Sequence, residues 1–215
     1  SMIKEKIVEW IKQYRMIAVV KGVGSLYIED TVKALYNGGV RVVEITLQNE
    51  DSLKSITKIR KSSMGGKIIC GAGTVMNSGQ VHSAAVAGAQ FISCIHSDED
   101  LIKEIKSVDK ACIAGALTPT NIISAKESGA DFINIFPAVS VGQDYFKQIR
   151  SPFNDQFLFA VGGIDLNNAY SFLRAGAFGI GVGNNLVNPR FIKDDNYYAI
   201  TEEAKKYVEI INGIT

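Results

Sequence analysis

One repeated pattern constrains the fold of this chain more than any other feature. A short apolar, β-branched run is followed by a polar or glycine-containing turn and then by a segment with helical spacing. The pattern occurs eight times with a repeat of roughly 27 residues, which is the size of one βα unit in an eight-stranded barrel. The predicted strands are 16–21, 42–47, 67–74, 91–94, 111–116, 132–136, 157–163 and 178–183.

Helical segments are predicted in the gaps between these strands. Glycine stands where a helix ends and the next strand begins in YNGGVR, AVAGAQ, ESGADF and LRAGAFG, as helix C-caps require. A further helix, 3–14, is predicted ahead of the first strand. The other predicted helices are 28–37, 51–61, 78–87, 98–108, 121–128, 145–150, 166–175 and 200–211.

The fold class predicted from this order is α/β, a (β/α)8 TIM barrel with an extra N-terminal helix. A doubly wound open sheet shows the same alternation, but eight repeats of even length favour closure. The chain has 215 residues and is 47% hydrophobic, which is enough for one sizeable core. We therefore expect a single barrel domain over residues 1–215.

Charge and cysteine content narrow the classes of partner. The 23 lysines and arginines nearly balance the 22 aspartates and glutamates, so we expect no nucleic-acid partner. No run of 18 apolar residues occurs, so we expect no membrane association. Cys70, Cys94 and Cys112 form an odd set without a CxxC pair, which predicts reduced thiols and a cytoplasmic location.

In a closed barrel the functional groups lie at the carboxyl ends of the strands. Strands seven and eight end in VGG and GVGNN, where exposed backbone N–H groups can bind phosphate. Gly162, Gly163, Gly183 and Asn184 are the candidate phosphate site. The alternative is that these glycines only permit tight turns.

Glu44 is the first candidate for a catalytic group. By alternation in VVEITLQ, Glu44 and Thr46 point into the barrel, while Val43 and Ile45 face the helices. Burial of a carboxylate is costly unless it is paired or its pKa rises, and such a group is suited to proton transfer. The alternative is a structural carboxylate bonded to backbone or water.

A second polar residue, Asn134, lies inside the apolar run DFINIFPAVSVG. Together with GGVRVVEITLQ, GAGTV, FPA and VGGIDLNNA, this stretch resembles the 2-keto-3-deoxy-6-phosphogluconate and 4-hydroxy-2-oxoglutarate aldolases over nearly the whole chain. The resemblance implies a (β/α)8 barrel, a homotrimer, and neither metal nor cofactor. It also implies reversible cleavage of a 2-keto-4-hydroxy acid, possibly 6-phosphorylated, to pyruvate plus an aldehyde.

The resemblance assigns roles residue by residue. Glu44 matches the proton shuttle, and Thr74 in the GAGT turn matches the threonine that helps to hold pyruvate. An imine-forming lysine is expected two residues before Phe-Pro, where this chain has Asn134. An amide nitrogen shares its lone pair with the carbonyl, so Asn134 cannot form the imine. The other substrate-binding positions that we expect are Gln48, Gly73, Phe136, Pro137 and Thr118. Thr118 or Thr120 is also the predicted cap of a helix that starts at Pro119-Thr120-Asn121.

Further departures from the family pattern cluster at the predicted mouth. Gln48 replaces an arginine and so lacks the charge-assisted bidentate grip on a carboxylate. Asn184 replaces a serine in the last phosphate loop, Val139 replaces a common glutamate, and SCIH follows strand four where relatives commonly have Ser-Pro. This clustering predicts an altered or weakened activity.

Two other groups could supply a nucleophile. Lys21 ends strand one, and if buried with a lowered pKa it could attack a keto group; the alternative is an anion-binding side chain. Cys94 and His96 have the spacing of a nucleophile and base, although spacing does not establish hydrogen-bond geometry. His82 lies on a predicted outer helix, so we expect no metal site.

Three hypotheses remain open from the sequence. The first is an aldolase-family lyase that acts on a keto acid with an altered mechanism. The second is a catalytically inactive binding or regulatory barrel for a phosphorylated sugar acid. The third is an enzyme with non-covalent chemistry on a phosphorylated small molecule, such as an isomerase or a synthase.

Overall fold

A computed structural model describes residues 1–214 of the chain. Eight parallel strands close into a barrel in sequence order, and β1 pairs with both β2 and β8. The predicted closure is therefore confirmed and the open sheet is excluded. The strands are β1 Met16–Val20, β2 Val42–Thr46, β3 Ile69–Gly73, β4 Phe91–Cys94, β5 Ala111–Ala116, β6 Phe132–Ile135, β7 Leu158–Val161 and β8 Gly179–Val182.

Ten helices accompany the strands within the described residues. Most match the predicted segments to within a few residues. The helices are α1 Met2–Tyr14, α2 Ile28–Asn37, α3 Glu50–Lys61, α4 Ser78–Ala87, α5 Glu99–Ser107, α6 Pro119–Ser128, α7 Ala138–Arg150, α8 Ala169–Arg174, α9 Pro189–Lys193 and α10 Tyr197–Asn212.

Two helices differ from the prediction. Helix α7 begins seven residues earlier than the predicted residue 145, and it is interrupted at Gly142, whose φ of 81° lies in the left-handed region. The apolar spacing of a helix is therefore visible only beyond this interruption. Helix α9 was not predicted, because its five residues include none that is buried and so carry no apolar periodicity.

The strands separate two apolar layers by simple alternation. Val43 and Ile45 on β2 and Ile133 and Ile135 on β6 face the surrounding helices. The alternate positions face the barrel interior, as the sequence predicts for Glu44 and Thr46. The inward group that fills the amino-terminal half of the barrel includes Val42, Ile69, Phe91, Ile113, Phe132 and Phe159.

Helix α1 closes the amino-terminal end of the barrel. Ile7 and Ile11 belong to the same buried cluster as Phe91, Phe132 and Phe159. The barrel interior is therefore packed and covered at one end, while its polar inward side chains lie towards the other, carboxyl end. None of the helices in residues 1–214 is long and apolar enough to cross a membrane.

Candidate active site

A cavity of about 370 Å³ opens at the carboxyl ends of the strands. This is the end of a barrel where functional groups collect, and the volume suits a small organic molecule. Six residues predicted from sequence line it: Lys21, Glu44, Gln48, Thr74, Asn134 and Phe136. Lining residues without a predicted site role include Thr46, Ser93, Ile95, Gly115 and Val161.

Glu44 lies deep in this cavity and is only 6% exposed. Burial raises the pKa of its carboxyl group to about 7, although the hydroxyl of Ser93 donates a hydrogen bond that partly opposes the rise. A carboxyl group with a pKa near neutrality can both take and return a proton under ordinary conditions. The position therefore suits the proton shuttle expected of Glu44.

Gly73 makes room for the Glu44 side chain. A Cβ added at Gly73 would lie 2.3 Å from Oε2 of Glu44, far inside the distance at which two such atoms can approach. Glycine at this position is thus required by the carboxylate on the neighbouring strand. The structure gives Gly73 a role in placing Glu44, and it does not place Gly73 in the cavity lining.

Asn134 projects into the same cavity from β6. It pairs with Gly115 on β5 and Phe159 on β7, and it is 9% exposed. Its Oδ1 is buried and has no hydrogen-bond partner among the described residues. A buried carbonyl oxygen without a donor is rare in folded proteins, and it costs about 1–3 kcal/mol of free energy.

The outer part of the cavity carries hydrogen-bond donors. Lys21 is exposed, so the burial on which its role as a nucleophile depends is missing. The backbone N–H of Gly22 donates to Oε1 of Gln48 at 3.1 Å, which occupies that acceptor and leaves the amide NH2 group of Gln48 as a donor. Both side chains can thus meet a ligand carboxylate.

Thr74 has an unusual backbone conformation. Its φ is 57°, in the left-handed region that a β-branched residue rarely adopts, and it directly follows β3. Such conformations persist only where the surroundings hold them, and they cluster at functional sites. The half-buried Thr74 side chain lines the cavity, as expected of a residue that holds a ligand.

The candidate phosphate residues meet in a second cavity of about 310 Å³. Gly162, Gly163, Gly183 and Asn184 all line it, and Lys21 and Phe136 border both cavities. Among the described residues, the backbone N–H groups of Gly163 and Asn184 donate to no backbone carbonyl. These groups are therefore open to an anion at the end of a ligand that extends from the first cavity.

Packing explains the glycines between β7 and α8. Gly162 and Gly163 have φ of 101° and 76°, both in the left-handed region. A Cβ on Gly162 would lie 2.9 Å from Cα of Pro137, and one on Gly163 would lie 2.3 Å from Cγ1 of Val139. Pro137 thus packs against the loop that follows β7 and does not line the first cavity.

Thr118 is placed differently from the expected substrate-binding role. It is the N-cap of α6: Oγ1 accepts from Asn121 N, and Asn121 Oδ1 accepts from Thr118 N. Thr118 is exposed and lines neither cavity. Of the two roles expected for Thr118, the structure shows the helix cap, and its hydroxyl is engaged there.

The cysteine and histidine residues do not form a nucleophile–base pair. The thiol of Cys94 donates to the backbone carbonyl of His96 at 3.2 Å, whereas the imidazole is on an exposed residue. Cys70, Cys94 and Cys112 are buried free thiols. His82 is exposed on α4 beside Glu104, as predicted. Within residues 1–214 no group of three or more His, Cys, Asp or Glu side chains could hold a metal ion.

Sequence reasoning missed Ser93, Ile95 and Gly115 as parts of the site. Ser93 stands in an apolar strand, and only the barrel brings its hydroxyl to Glu44 from two strands away. A Cβ on Gly115 would lie 2.1 Å from the carbonyl oxygen of Ile95, so the chain after β4 folds over the barrel end. The period-two alternation of β4 was the one signal that could have identified Ser93.

Comparison with known proteins gives consistent similarities. A model of the KDPG and KHG aldolase family matches residues 7–203. The 2-dehydro-3-deoxy-6-phosphogalactonate aldolase of Escherichia coli K12 is 30% identical over 83% of this chain and 87% of the relative. The KHG/KDPG aldolase of the same organism is 32% identical over 82% and 83%. A solved structure described as native KDPGal aligns with a TM-score of 0.86 and 28% identity, covering 93% of this chain and 95% of that one.

Proposed function

The chain belongs to the KDPG and KHG aldolase family, and from that premise we propose that it is a carbon–carbon lyase of weakened activity. The reaction is reversible cleavage of a 2-keto-4-hydroxy acid to pyruvate plus an aldehyde. The observation that carries the proposal is the buried carboxamide of Asn134 in the cavity that also holds Glu44.

The weakening follows from the chemistry of bond cleavage. When the bond between C3 and C4 of the substrate breaks, its electron pair passes towards C2. A protonated imine on a lysine accepts that pair readily, whereas a keto group held by hydrogen bonds accepts it much less well. Asn134 can donate a hydrogen bond to the keto oxygen, but it cannot form the imine. Exposed Lys21 directly follows β1, on the other side of the barrel mouth from the β6 position.

The other groups of the mouth support the same substrate class. Glu44 would move the proton between the C4 hydroxyl and C3. Lys21, Gln48 and Thr74 would hold the C1 carboxylate through donors at the outer part of the cavity. The second cavity, with the open N–H groups of Gly163 and Asn184, would receive a phosphate at the far end of the substrate. No bound metal or cofactor is required for these roles.

Restoration of the amine tests the proposal. We expect Asn134→Lys to form a stable mass adduct with pyruvate after borohydride reduction, and wild type to form none. Cleavage of a 2-keto-4-hydroxy acid should rise by at least about a hundredfold, the scale of one catalytic group. The double variant N134K/K21M should keep the adduct. A folded Asn134→Lys variant with neither adduct nor cleavage would contradict the proposal.

A second candidate function is proton exchange at C3 of a keto acid without cleavage. The pKa of Glu44, raised to about 7 by burial, favours it because such a group can remove a proton next to a carbonyl. In deuterated water the wild-type protein should then exchange the methyl protons of pyruvate, as followed by NMR, and Glu44→Gln should not. Exchange at the same rate in both proteins would exclude this function.

A thermal-shift measurement on the same proteins distinguishes a binding protein without turnover from the two enzymatic functions. Ligand at 100 times its Kd would stabilise the fold by about 2.7 kcal/mol, which a thermal shift detects. Stabilisation of wild type by a phosphorylated sugar acid, with no cleavage and no proton exchange, would favour the binding or regulatory function over both enzymatic ones.

A further inference from the structure

A single cationic side chain serves both cavities at the barrel mouth. Lys21 lines the first cavity and the second one, and no other lysine, arginine or histidine of residues 1–214 lines either. Within the described part of the chain, the Lys21 ammonium has neither an ion-pair partner nor a hydrogen-bond partner. A lysine charge is a point on a flexible stem, so the location of this one depends on the backbone that carries it.

That backbone is the β1–α2 loop, residues 21–27. Its hydrogen bond from N of Tyr27 to the carbonyl of Gly24, at 3.0 Å, lies within the loop. Among the described residues, no backbone–backbone hydrogen bond joins residues 22–26 to a strand or a helix. Gly22, next to Lys21, has a φ of 73° and open space where a Cβ would lie. The loop must therefore be fixed mainly by side chains from other elements.

Asp51 supplies the principal contact to this loop. It lies in the first turn of α3 and lines neither cavity. Its Oδ2 accepts from the backbone N–H of Ser25 at 2.8 Å, and its Oδ1 accepts from the Ser25 hydroxyl at 2.6 Å. These two hydrogen bonds lower the pKa of Asp51 and so favour the ionised carboxylate. Because both oxygens hold one residue, the contact fixes the orientation of the loop as well as its distance.

Two further hydrogen bonds join the loop to the same side of the mouth. The ammonium of Lys58, on α3, donates to the carbonyl of Ser25 at 3.0 Å. The backbone N–H of Gly22 donates to Oε1 of Gln48 at 3.1 Å. The two bonds to Asp51 are shorter than either of these, and short charge-assisted bonds are the stronger ones.

We propose that Asp51 is a positioning residue, which holds the β1–α2 loop so that the Lys21 ammonium lies where the two cavities meet. The inference rests on the proposed function for its ligands, a carboxylate in the first cavity and a phosphate in the second. Asp51 touches neither ligand and acts through Lys21. Loss of Asp51 therefore weakens the binding of both kinds of anion.

Calorimetric titration with pyruvate and with inorganic phosphate tests this role. We expect Asp51→Ala to weaken the binding of both anions about tenfold, the scale of a charge-assisted contact. Asp51→Asn keeps one carbonyl oxygen as an acceptor for Ser25, and its affinities should lie between those of wild type and Asp51→Ala. Unchanged affinity for either anion in Asp51→Ala, or no binding of either anion to wild type at millimolar concentrations, overturns the inference.

Glu50→Ala is the matched control. Glu50 is an exposed acidic residue in the same first turn of α3, so its loss removes the same charge from the helix terminus. It should leave both affinities unchanged. If Glu50→Ala weakens binding as much as Asp51→Ala does, the effect comes from the helix and the inference fails.

Two measurements separate positioning of Lys21 from a general structural effect. In a Lys21→Met background, Asp51→Ala should cause no further loss of affinity, because the group through which it acts is gone. An equal loss in both backgrounds contradicts the inference. The amide of Ser25 should also exchange with deuterated water at least about tenfold faster in Asp51→Ala than in Glu50→Ala. Equal exchange rates in these two variants would show that Asp51 does not hold the loop.

The outcome is separable from that of the proposed lyase function. If Asn134→Lys forms the pyruvate adduct while Asp51→Ala keeps wild-type affinity for both anions, the lyase proposal stands and this inference fails. If Asp51→Ala weakens both affinities through Lys21 but Asn134→Lys forms no adduct and gains no cleavage, the reverse holds.

Discussion

At the scale of single residues, the size of one side chain in the site limits the side chain that its neighbour can carry. Glu44 occupies the space that any side chain larger than hydrogen at Gly73 would need. The next residue, Thr74, has a φ of 57°. Strained or tightly coupled positions of this kind are common where a protein holds a reacting group. A larger side chain at Gly73 would therefore require Glu44 on β2 to move.

The raised pKa of Glu44 makes the stability of the fold depend on pH. Between pH 4.5, the ordinary pKa of glutamate, and about 7, the folded state holds a proton that the unfolded state has released. Stability contributed by this group therefore falls as pH rises through that window. Above about pH 7, burial of ionised Glu44 lowers the free energy of unfolding by about 3 kcal/mol, at about 1.36 kcal/mol per unit of pKa shift.

Glu44→Gln should remove this dependence because its amide cannot ionise. The unfolding free energy of the variant minus that of wild type should therefore be about 3 kcal/mol larger at pH 8 than at pH 4.5. Urea denaturation at the two pH values measures the gain. Wild type and variant curves that stay parallel across this range would mean that Glu44 does not titrate as described.

At the scale of elements, polar residues in the loops at the barrel mouth serve as N-caps of the helices that follow. The side chains of Asn49, Asn77, Asp98 and Thr118 each accept a hydrogen bond from a backbone N–H in the first turn of the following helix. A polar residue after a barrel strand therefore has two possible uses, and only its contacts distinguish a helix cap from a ligand group.

Thr118→Ala separates these uses. We expect a loss of about 1 kcal/mol in unfolding free energy, because the cap of α6 is removed. Affinity for any ligand of the first cavity should not change. Thr120→Ala is the matched control, since Thr120 is an exposed threonine in the first turn of the same helix. Reduced ligand affinity in Thr118→Ala alone would restore the substrate-binding role expected from its position.

At the scale of the whole molecule, the family resemblance predicts a homotrimer. Large apolar side chains remain exposed on the single chain, among them Val86 at 90%, Leu26 at 76% and Ile123 at 45%. Burial of such surface between subunits would be favourable. Sedimentation equilibrium should give three times the chain mass of 23.3 kDa. A mass that stays at one chain across concentrations would contradict the trimer.

Periodicity predicted most of the elements because the apolar side chains recur at the spacing of the structure they form. It failed at the amino-terminal half of α7, which ends in the break at Gly142, and at the exposed helix α9. Among the site residues, Glu44 and Asn134 were recognisable as polar groups in apolar strands. Ser93 carries the same signal on β4, but its use became visible only through its contact with Glu44. The position of Ile95 carries no such signal, since its importance comes from its approach to Gly115 on β5.

The sequence by itself determined the order of eight βα units, the inward direction of Glu44, and the presence of an amide at 134 where an amine is expected. These are local properties, set by alternation along a strand and by the chemistry of one side chain. The tertiary structure alone decided that Glu44 is buried, that Oδ1 of Asn134 lacks a donor, and that Lys21 is exposed. Burial and hydrogen bonding depend on atoms from distant strands, which come together only when the barrel closes.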